Sequence, residues 1–136
     1  MNLVRKVISC VMAPKAIGPY RKEIYSQAIF AAKTLYISGQ LGINPETMEI
    51  AGPSVEQQTE QTLKNLSSIV KASGGQMKDI VKTTILLANM EDFATVNEIY
   101  AKYFTDPYPA RVCYAVKALP KNALVGIEAI AVLDLQ

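Results

Sequence analysis

The sequence predicts an α+β fold in which a β-sheet carries two α-helices on one face. Strand-like segments precede, separate and follow two helix-like segments, and turn-forming residues divide one element from the next. The order is one strand, two strands, a helix, a strand, a helix and two strands. Elements in this order favour a sheet with its helices packed together on one side.

The first three predicted strands cover residues 4–9, 27–32 and 34–39, with a tight turn at Ala32 and Lys33 between the last two. Pro14 and the pair Gly18-Pro19 mark the loop before the second strand. Residues 42–53 form another loop, because Gly and Pro residues interrupt it repeatedly.

The first helix is predicted to begin at Ser54, because Ser54 and Gln57 form a capping-box pattern. Mostly apolar residues then recur at three- and four-residue spacing, which indicates one buried stripe. These residues are Val55, Thr59, Leu63, Leu66 and Val70. Gly74 and Gly75 supply the stop signal.

Residues 80–88 are rich in β-branched side chains, and residues 85–88 show almost no polar alternation. A strand that is apolar on both faces is expected to be covered on both faces. Since only two helices are available, we expect another subunit to supply the second cover.

A second helix is predicted to follow Asp92, which could cap it. Its aromatic and apolar stripe is interpreted as core packing. The stripe consists of Phe93, Val96, Tyr100 and Tyr103. Strands at residues 112–116 and 124–133, joined through a turn at Lys121 and Asn122, complete the sheet.

The chain has 136 residues, no histidine and a formal net charge of +2. That length predicts a single domain, residues 1–136. The weak positive charge gives little reason to expect a nucleic-acid partner. Without histidine, His-based triads and His-ligated metals are excluded.

The two cysteines, Cys10 and Cys113, are too few for a disulfide framework and are interpreted as reduced thiols. We expect no membrane association, since no apolar run reaches membrane-spanning length. A cytoplasmic location is expected. The absence of acidic residues before Glu23 keeps a mitochondrial presequence as an alternative to a first strand.

Arg111 and Cys113 lie two residues apart in a strand-like stretch, so both side chains are expected to point to one side. A guanidinium beside a strand suits a small carboxylate, because its planar fork matches two oxygens at once. The alternative for Arg111 is a surface or interface salt bridge.

Nine short segments are distributed in order along nearly the whole chain. They are AIGPY at 16–20, YSQA at 25–28, YISGQ at 36–40, LKNL at 63–66, IVKTT at 80–84, DFATVNEIY at 92–100, PAR at 109–111, LPK at 119–121 and IEAIA at 127–131. Jointly they resemble the Rid (YjgF) family of 2-iminobutanoate/2-iminopropanoate deaminases.

This resemblance implies a chorismate-mutase-like fold with a mixed β-sheet, assembled as a homotrimer with sites in the clefts between subunits. It implies that water adds to the C=N bond of a small 2-imino acid and that a 2-keto acid and ammonia are released. No metal or organic cofactor is expected. RNA cleavage or translation inhibition, also ascribed to family members, is an alternative that the charge and composition support weakly.

The resemblance also implies roles for particular residues. Arg111 would bind the substrate carboxylate, the backbone at Gly39 and Cys113 would offer hydrogen bonds, and Ser38 and Asn97 would line the pocket. For Ser38 and Asn97 a purely structural role in turn and helix hydrogen bonding is an equal alternative. The Cys113 side chain is expected to pack rather than to act as a nucleophile, because no histidine can activate it.

The chain departs from the family pattern in two places. Residues 21–24 separate Tyr20 from Tyr25, so either tyrosine could close the pocket.

The second departure is Gly126, which stands where the family commonly has the glutamate that orients the attacking water. Glu128 is then the remaining candidate acid or base beside Arg111. It is about 6.6 Å further along the strand, too far to replace that glutamate unless a bulge re-aims it. We therefore expect reduced deaminase activity, with a non-catalytic carboxylate-binding protein as the alternative.

Overall fold

A computed structural model describes residues 4–16 and 25–134, in which six strands form one mixed β-sheet. The strands are β1 (Lys6–Ile8), β2 (Ala28–Ala31), β3 (Thr34–Leu41), β4 (Ile80–Leu87), β5 (Ala110–Ala115) and β6 (Val125–Val132). They lie in the order β1-β2-β3-β6-β4-β5. Strands β4 and β5 run parallel, and the other neighbouring pairs run antiparallel.

The turn between β2 and β3 is formed by Ala32 and Lys33, as the sequence predicts. Both residues have positive φ, 50° and 65°. Two consecutive residues of this kind match the right-handed twist of a two-residue hairpin. The predicted first strand, by contrast, is shortened to Lys6–Ile8.

Helix α1 (Val55–Ala72) begins and ends at the predicted signals. Ser54 accepts a hydrogen bond from the Gln57 backbone, and the Gln57 side chain bonds back to the Ser54 backbone. At the other end Gly74 has a φ of 93°, the left-handed conformation that glycine adopts readily. The capping box and the glycine stop are both confirmed.

Helix α2 (Phe93–Tyr100) is capped differently from the prediction. A short 3₁₀ turn, Met90–Asp92, precedes the helix, and the Asn89 side chain accepts from the Glu91 backbone at 2.9 Å. Asp92 has helical backbone angles and its side chain makes no capping bond. Asp92 therefore occupies the N-cap position as predicted, but the predicted capping bond is absent, because the chain already turns three residues earlier at Asn89.

Both helices pack on one face of the sheet, so the predicted α+β class is confirmed. Helix α1 contacts β3, β6 and α2. The core between the helices and the sheet includes the fully buried residues Leu35, Leu63, Leu66, Ile69, Ile85, Leu87 and Ile127.

Strand β4 alternates between buried and partly exposed positions. Ile85 and Leu87 face the helices and are buried, whereas Leu86 is half-buried and Val81 is 46% exposed. In one copy of the chain only the helix-facing side of β4 is fully covered, and cover of the other side by another subunit stays a prediction. The face opposite the helices is called the open face below.

Candidate active site

A cavity of about 760 Å³ lies where β3 and β6 meet the surrounding loops, and it is called the β3–β6 cavity below. Its lining is mostly apolar and comes from three strands and several connections. The lining residues are Pro14, Lys15, Tyr25, Gln27, Gly39, Gln40, Leu41, Ile43, Met48, Leu86, Leu119, Pro120, Lys121, Gly126, Ile127 and Glu128.

A β-bulge in β3 shapes one wall of this cavity. The register with β6 passes from Ile37↔Ala129 to Gln40↔Ile127, so Ser38 and Gly39 together face the single residue Glu128. Bulges redirect the backbone locally and are frequent beside active sites. A Cβ built at Gly39 would have no atom within 4 Å, so this position faces open space.

Ser38 is placed differently from Gly39. Its hydroxyl donates to the Ser26 carbonyl at 2.5 Å, and its backbone N–H donates to the Gln27 carbonyl at 2.9 Å. Both bonds therefore join β3 to the residues that directly precede β2. Ser38 does not line the cavity.

Tyr25 lines the β3–β6 cavity and is 46% exposed. Tyr20 and the inserted residues 21–24 lie outside the described residues, so the choice between the two tyrosines stays a prediction.

Gly126 and Glu128 both line the cavity, as expected for residues two apart on one strand. Gly126 is buried, whereas Glu128 is exposed. Gly126 is therefore a candidate for the buried part of one site, and Glu128 is a candidate for its solvent-exposed edge.

Two polar residues on the buried face of α1 bond to the backbone in and around the cavity, of which Leu41 and Ile43 line it directly. Asn65 donates to the carbonyls of Leu41 and Ile43 at 3.1 and 2.9 Å. Gln58 donates to the Gly52 carbonyl and accepts from the Leu124 backbone. Sequence reasoning missed this role, although polar residues on the apolar face of an amphipathic helix were the available signal.

Gln27 anchors the loop that brings Lys15 to the cavity. It is 5% exposed, accepts from the Cys10 backbone at 2.6 Å and donates to the Pro14 carbonyl at 2.7 Å. Sequence reasoning did not single out Gln27 or Lys15, since loop tethers of this kind carry no periodic signal.

Arg111 is held by side chains of α2. Its guanidinium carbon lies 5.0 Å from the Tyr100 ring centre and 5.8 Å from the Phe93 ring centre. One guanidinium nitrogen donates to the Asn97 side-chain oxygen. The Tyr100 hydroxyl is in turn 2.8 Å from the buried Thr83 hydroxyl.

The predicted core role of the aromatic stripe on α2 is therefore only partly right. Val96 and Tyr100 are buried, but Phe93 is 37% exposed and lies beside the Arg111 guanidinium. Phe93 is the first residue of α2, and its ring packs beside this guanidinium instead of entering the core.

Cys113 lies on the same side of β5 as Arg111, as predicted. Its side chain is half-buried and packs against the hydrophobic core. Burial raises the pKa of the Cys113 thiol, and the nearby Arg111 charge offsets this only in part. The protonated thiol is therefore favoured over the thiolate, and a protonated thiol is a poor nucleophile.

The Cys113 backbone points to the free edge of the sheet. Among the described residues, strand β5 pairs with β4 alone, and Val116 donates its N–H to the Leu87 carbonyl at 2.9 Å. Because backbone polar groups alternate along a strand, those of residue 113 face away from β4. They are therefore placed to bond a ligand or another chain.

The candidate residues thus form two separate groups in one copy of the chain. Arg111, Asn97 and the Cys113 side chain lie on the helix side of β5. Tyr25 and Glu128, with Gly39 and Gly126, line the β3–β6 cavity, and β4 lies between β6 and β5.

Within residues 4–16 and 25–134, no group of three or more His, Cys, Asp or Glu side chains is placed to hold a metal ion. In the same part of the chain, no helix is both long enough and apolar enough to cross a membrane.

A family model described as Endoribonuclease L-PSP matches residues 11–133 of the chain. The chain belongs to the Endoribonuclease L-PSP family. This confirms the resemblance to the Rid (YjgF) proteins, because curated members of the L-PSP family that resemble the chain carry deaminase names.

One such member is Reactive Intermediate Deaminase A, chloroplastic, of Arabidopsis thaliana, 54% identical over 97% of this chain and 68% of its own length. Another is the 2-iminobutanoate/2-iminopropanoate deaminase of Homo sapiens, 47% identical over 96% of this chain and 92% of its own. Among solved structures, that of E. coli TdcF with bound serine is similar, with a TM-score of 0.84. The two chains are 40% identical, and the match covers 93% of this chain and 98% of the TdcF chain.

Proposed function

We propose that the protein hydrolyses small 2-imino acids, such as 2-iminopropanoate and 2-iminobutanoate, to 2-keto acids and ammonia. The observation that carries this proposal is the state of Arg111. It is fixed by Asn97 and two aromatic rings, yet among the described residues it forms no salt bridge. A positioned guanidinium without an acidic partner suits the carboxylate of a ligand.

The reaction needs little beyond orientation and proton transfer. A bidentate pair with Arg111 would fix the substrate carboxylate and so present the imine carbon to water. Water adds to that carbon, and collapse of the resulting carbinolamine restores a C=O bond and releases ammonia. Glu128 is the acidic side chain of the cavity lining that could move a proton.

We further propose that the site is shared between copies of the chain in a homotrimer. The cavity and Arg111 are separated by β4 within one copy, so a neighbouring copy must bring its β5 edge to the cavity. Large apolar side chains on strands β3 and β5 support association, since Tyr36, Val112 and Tyr114 are between 42% and 51% exposed.

A coupled assay tests the role of Arg111. An amino-acid oxidase generates the 2-imino acid in place, and its decay is followed with the wild type, Arg111→Ala and Arg111→Lys. Loss of a charge-assisted hydrogen-bonded pair costs about 1.5–3 kcal/mol, so Arg111→Ala should lower kcat/KM by about 10- to 150-fold. Arg111→Lys should recover little, because an ammonium cannot form the planar fork.

The exposed residue Arg5 provides the matched control, and Arg5→Ala should leave the rate unchanged. An unchanged rate in Arg111→Ala would defeat the carboxylate assignment. Binding of pyruvate that depends on Arg111, together with no turnover, would favour the non-catalytic alternative.

Mixing two inactive variants tests the shared site. A Cβ at position 39 would meet no atom within 4 Å, and Gly39 lines the cavity, so Gly39→Phe should block the cavity but keep Arg111. Arg111→Ala keeps the cavity. When the two are unfolded and refolded together in equal amounts, about a quarter of the inter-subunit sites should be intact. No recovery in a mixture that forms trimers would contradict the sharing.

We also propose a reducing compartment such as the cytoplasm, since Cys10 and Cys113 are both free thiols. RNA cleavage, which the family description names, has no specific support in the site. Fractionation of cells that express a tagged full-length chain would test the compartment.

A further inference from the structure

Charged residues are rare in the sheet. The six described strands hold four of them, Lys6, Lys82, Arg111 and Glu128. Lys6 shares one side of β1 with the buried Ile8, and Arg111 contacts α2, so both lie on the helix side of the sheet. Lys82 and Glu128 are therefore the two charged residues that the described strands present on the open face.

These two residues are diagonal neighbours across β4 and β6. In the register of the two strands, Lys82 lies opposite Ile130 and Thr84 lies opposite Glu128. Thr83, between Lys82 and Thr84, is fully buried on the helix side, so its two neighbours face the open side. Diagonal neighbours in a sheet lie about 7–8 Å apart, a distance that long side chains can bridge.

In one copy of the chain these two charges are not paired. The ion pairs of the described residues are Lys33–Asp134 and Lys102–Glu60. Glu128 is exposed, so water solvates its carboxylate. An ion pair in such a setting contributes little to stability, and nothing draws the two side chains together.

The situation changes when a neighbouring copy covers the open face. Lys82 is already half-buried, and the residues opposite it on the two adjacent strands, Ile130 and Ala110, are apolar. A charge that is removed from water without a partner is strongly destabilising. Glu128 is the acidic side chain that the described strands offer on this face, so pairing satisfies both charges at once.

We propose that Lys82 is a positioning residue that pairs with Glu128 in the assembled protein and holds the Glu128 carboxylate ionised at the edge of the β3–β6 cavity. The inference rests on the proposed deamination and concerns its proton transfer. Glu128 lines the cavity and Lys82 does not, so Lys82 acts through Glu128.

An ionised Glu128 can act as a base on the attacking water. The water oxygen bonds to the imine carbon while the C=N electron pair moves to nitrogen. Glu128 accepts the proton that the water loses and passes it to that nitrogen, so the carboxylate is regenerated. A carboxyl group that was already protonated could not take the first proton.

Loss of the Lys82 charge should lower kcat and leave KM nearly unchanged. Lys82→Met keeps the unbranched stem and removes the ammonium. The rate for 2-iminopropanoate should fall about 10-fold or more, as for the loss of a charge-assisted hydrogen bond. KM should stay within about twofold, because Arg111 still binds the substrate carboxylate.

Two further variants complete this comparison. Lys82→Arg keeps the positive charge and should recover most of the rate. Lys6→Met removes an exposed lysine of β1 from the other face of the sheet, so it is the matched control and should react like the wild type. Lys82→Gln replaces Lys82→Met if the methionine variant does not fold.

A double-mutant cycle separates pairing from an independent effect of Lys82. In Glu128→Gln the base is already absent, so adding Lys82→Met should cause no further loss of kcat. An equal loss in both backgrounds overturns the inference, as does an unchanged kcat in Lys82→Met or in Glu128→Gln. In each of these cases the wild type still hydrolyses the imine, and the proposed deamination stands.

Thermal unfolding of the assembled protein gives a readout that does not need turnover. If the wild type hydrolyses no imine, the proposed function fails and the pair is judged from Tm alone. The double variant should lose less than the sum of the two single losses, because each single variant leaves one charge unpaired. Additive losses of Tm would overturn the pair.

Discussion

The Tyr100 ring lies 5.0 Å below the Arg111 guanidinium, and its hydroxyl is 2.8 Å from that of Thr83. Burial raises the pKa of the Tyr100 hydroxyl, although the Thr83 bond and the Arg111 charge act in the opposite direction. The phenol therefore stays protonated at neutral pH and the Thr83 bond persists. As a result the guanidinium is positioned before a ligand arrives, which lowers the ordering cost of binding.

The more exposed of the two rings offers the cleaner test of this arrangement. Replacing Phe93 by Leu removes a ring that lies 5.8 Å from the guanidinium carbon but keeps an apolar side chain. An exposed cation–π contact contributes about 0.5–1 kcal/mol, so we expect KM to rise about two- to fivefold in Phe93→Leu. Steady-state kinetics should show little change in kcat.

Phe93→Tyr keeps the ring and is the matched control, so its KM should remain near the wild-type value. If Phe93→Leu and Phe93→Tyr behave alike, or if kcat falls while KM is unchanged, the ring does not position Arg111.

Restoring an acid at position 126 should raise the rate for the smallest substrate. General acid–base help contributes typically about 10²- to 10⁴-fold, so Gly126→Glu should accelerate 2-iminopropanoate hydrolysis by up to that factor. The Cβ fits beside Leu41 with a small movement of that side chain.

Gly126→Gln has nearly the same shape but cannot accept a proton, and it should give no acceleration. A folded trimer of Gly126→Glu with an unchanged rate would show that the missing carboxylate does not limit the reaction.

The Cys113 thiol should be dispensable for chemistry. Its pKa is raised by burial, so the thiol remains protonated as the pH rises through the neutral range, and a thiolate would form only at more alkaline pH. We expect Cys113→Ala to keep kcat within about twofold and to lose about 1 kcal/mol of stability from packing.

The pH profile provides the check. A thiolate nucleophile would make kcat increase toward alkaline pH in the wild type and not in Cys113→Ala. Superimposable profiles would support a packing side chain, whereas loss of all turnover in a folded Cys113→Ala would contradict it.

Local patterns were sufficient to predict the order of the elements. The capping box of Ser54 and Gln57 and the turn at Ala32 and Lys33 involve residues close in the chain, and each occurs as expected. Asp92 shows the limit of that reasoning. The capping bond comes from Asn89, three residues earlier, whose side chain accepts from the Glu91 backbone N–H.

Contacts between distant parts of the chain were not predictable in this way. The bonds from Asn65 to Leu41 and Ile43 join residues 24 and 22 positions apart, and no periodicity marks them. The bulge at Ser38 and Gly39 depends on pairing with β6, more than eighty residues later. These features shape the cavity, so residue types indicated the chemistry of the site better than its form.

Strand β5 has a further consequence for the protein in solution. In the described part of the chain it is an edge strand whose backbone groups on one side are unpaired, and Val112 and Tyr114 are exposed. Such edges are templates for uncontrolled strand pairing. If a neighbouring copy covers β5 to complete the site, the same contact protects the chain against aggregation. Substitutions that loosen the assembly would then lower solubility and activity together, and selection for a soluble protein would preserve the site as well.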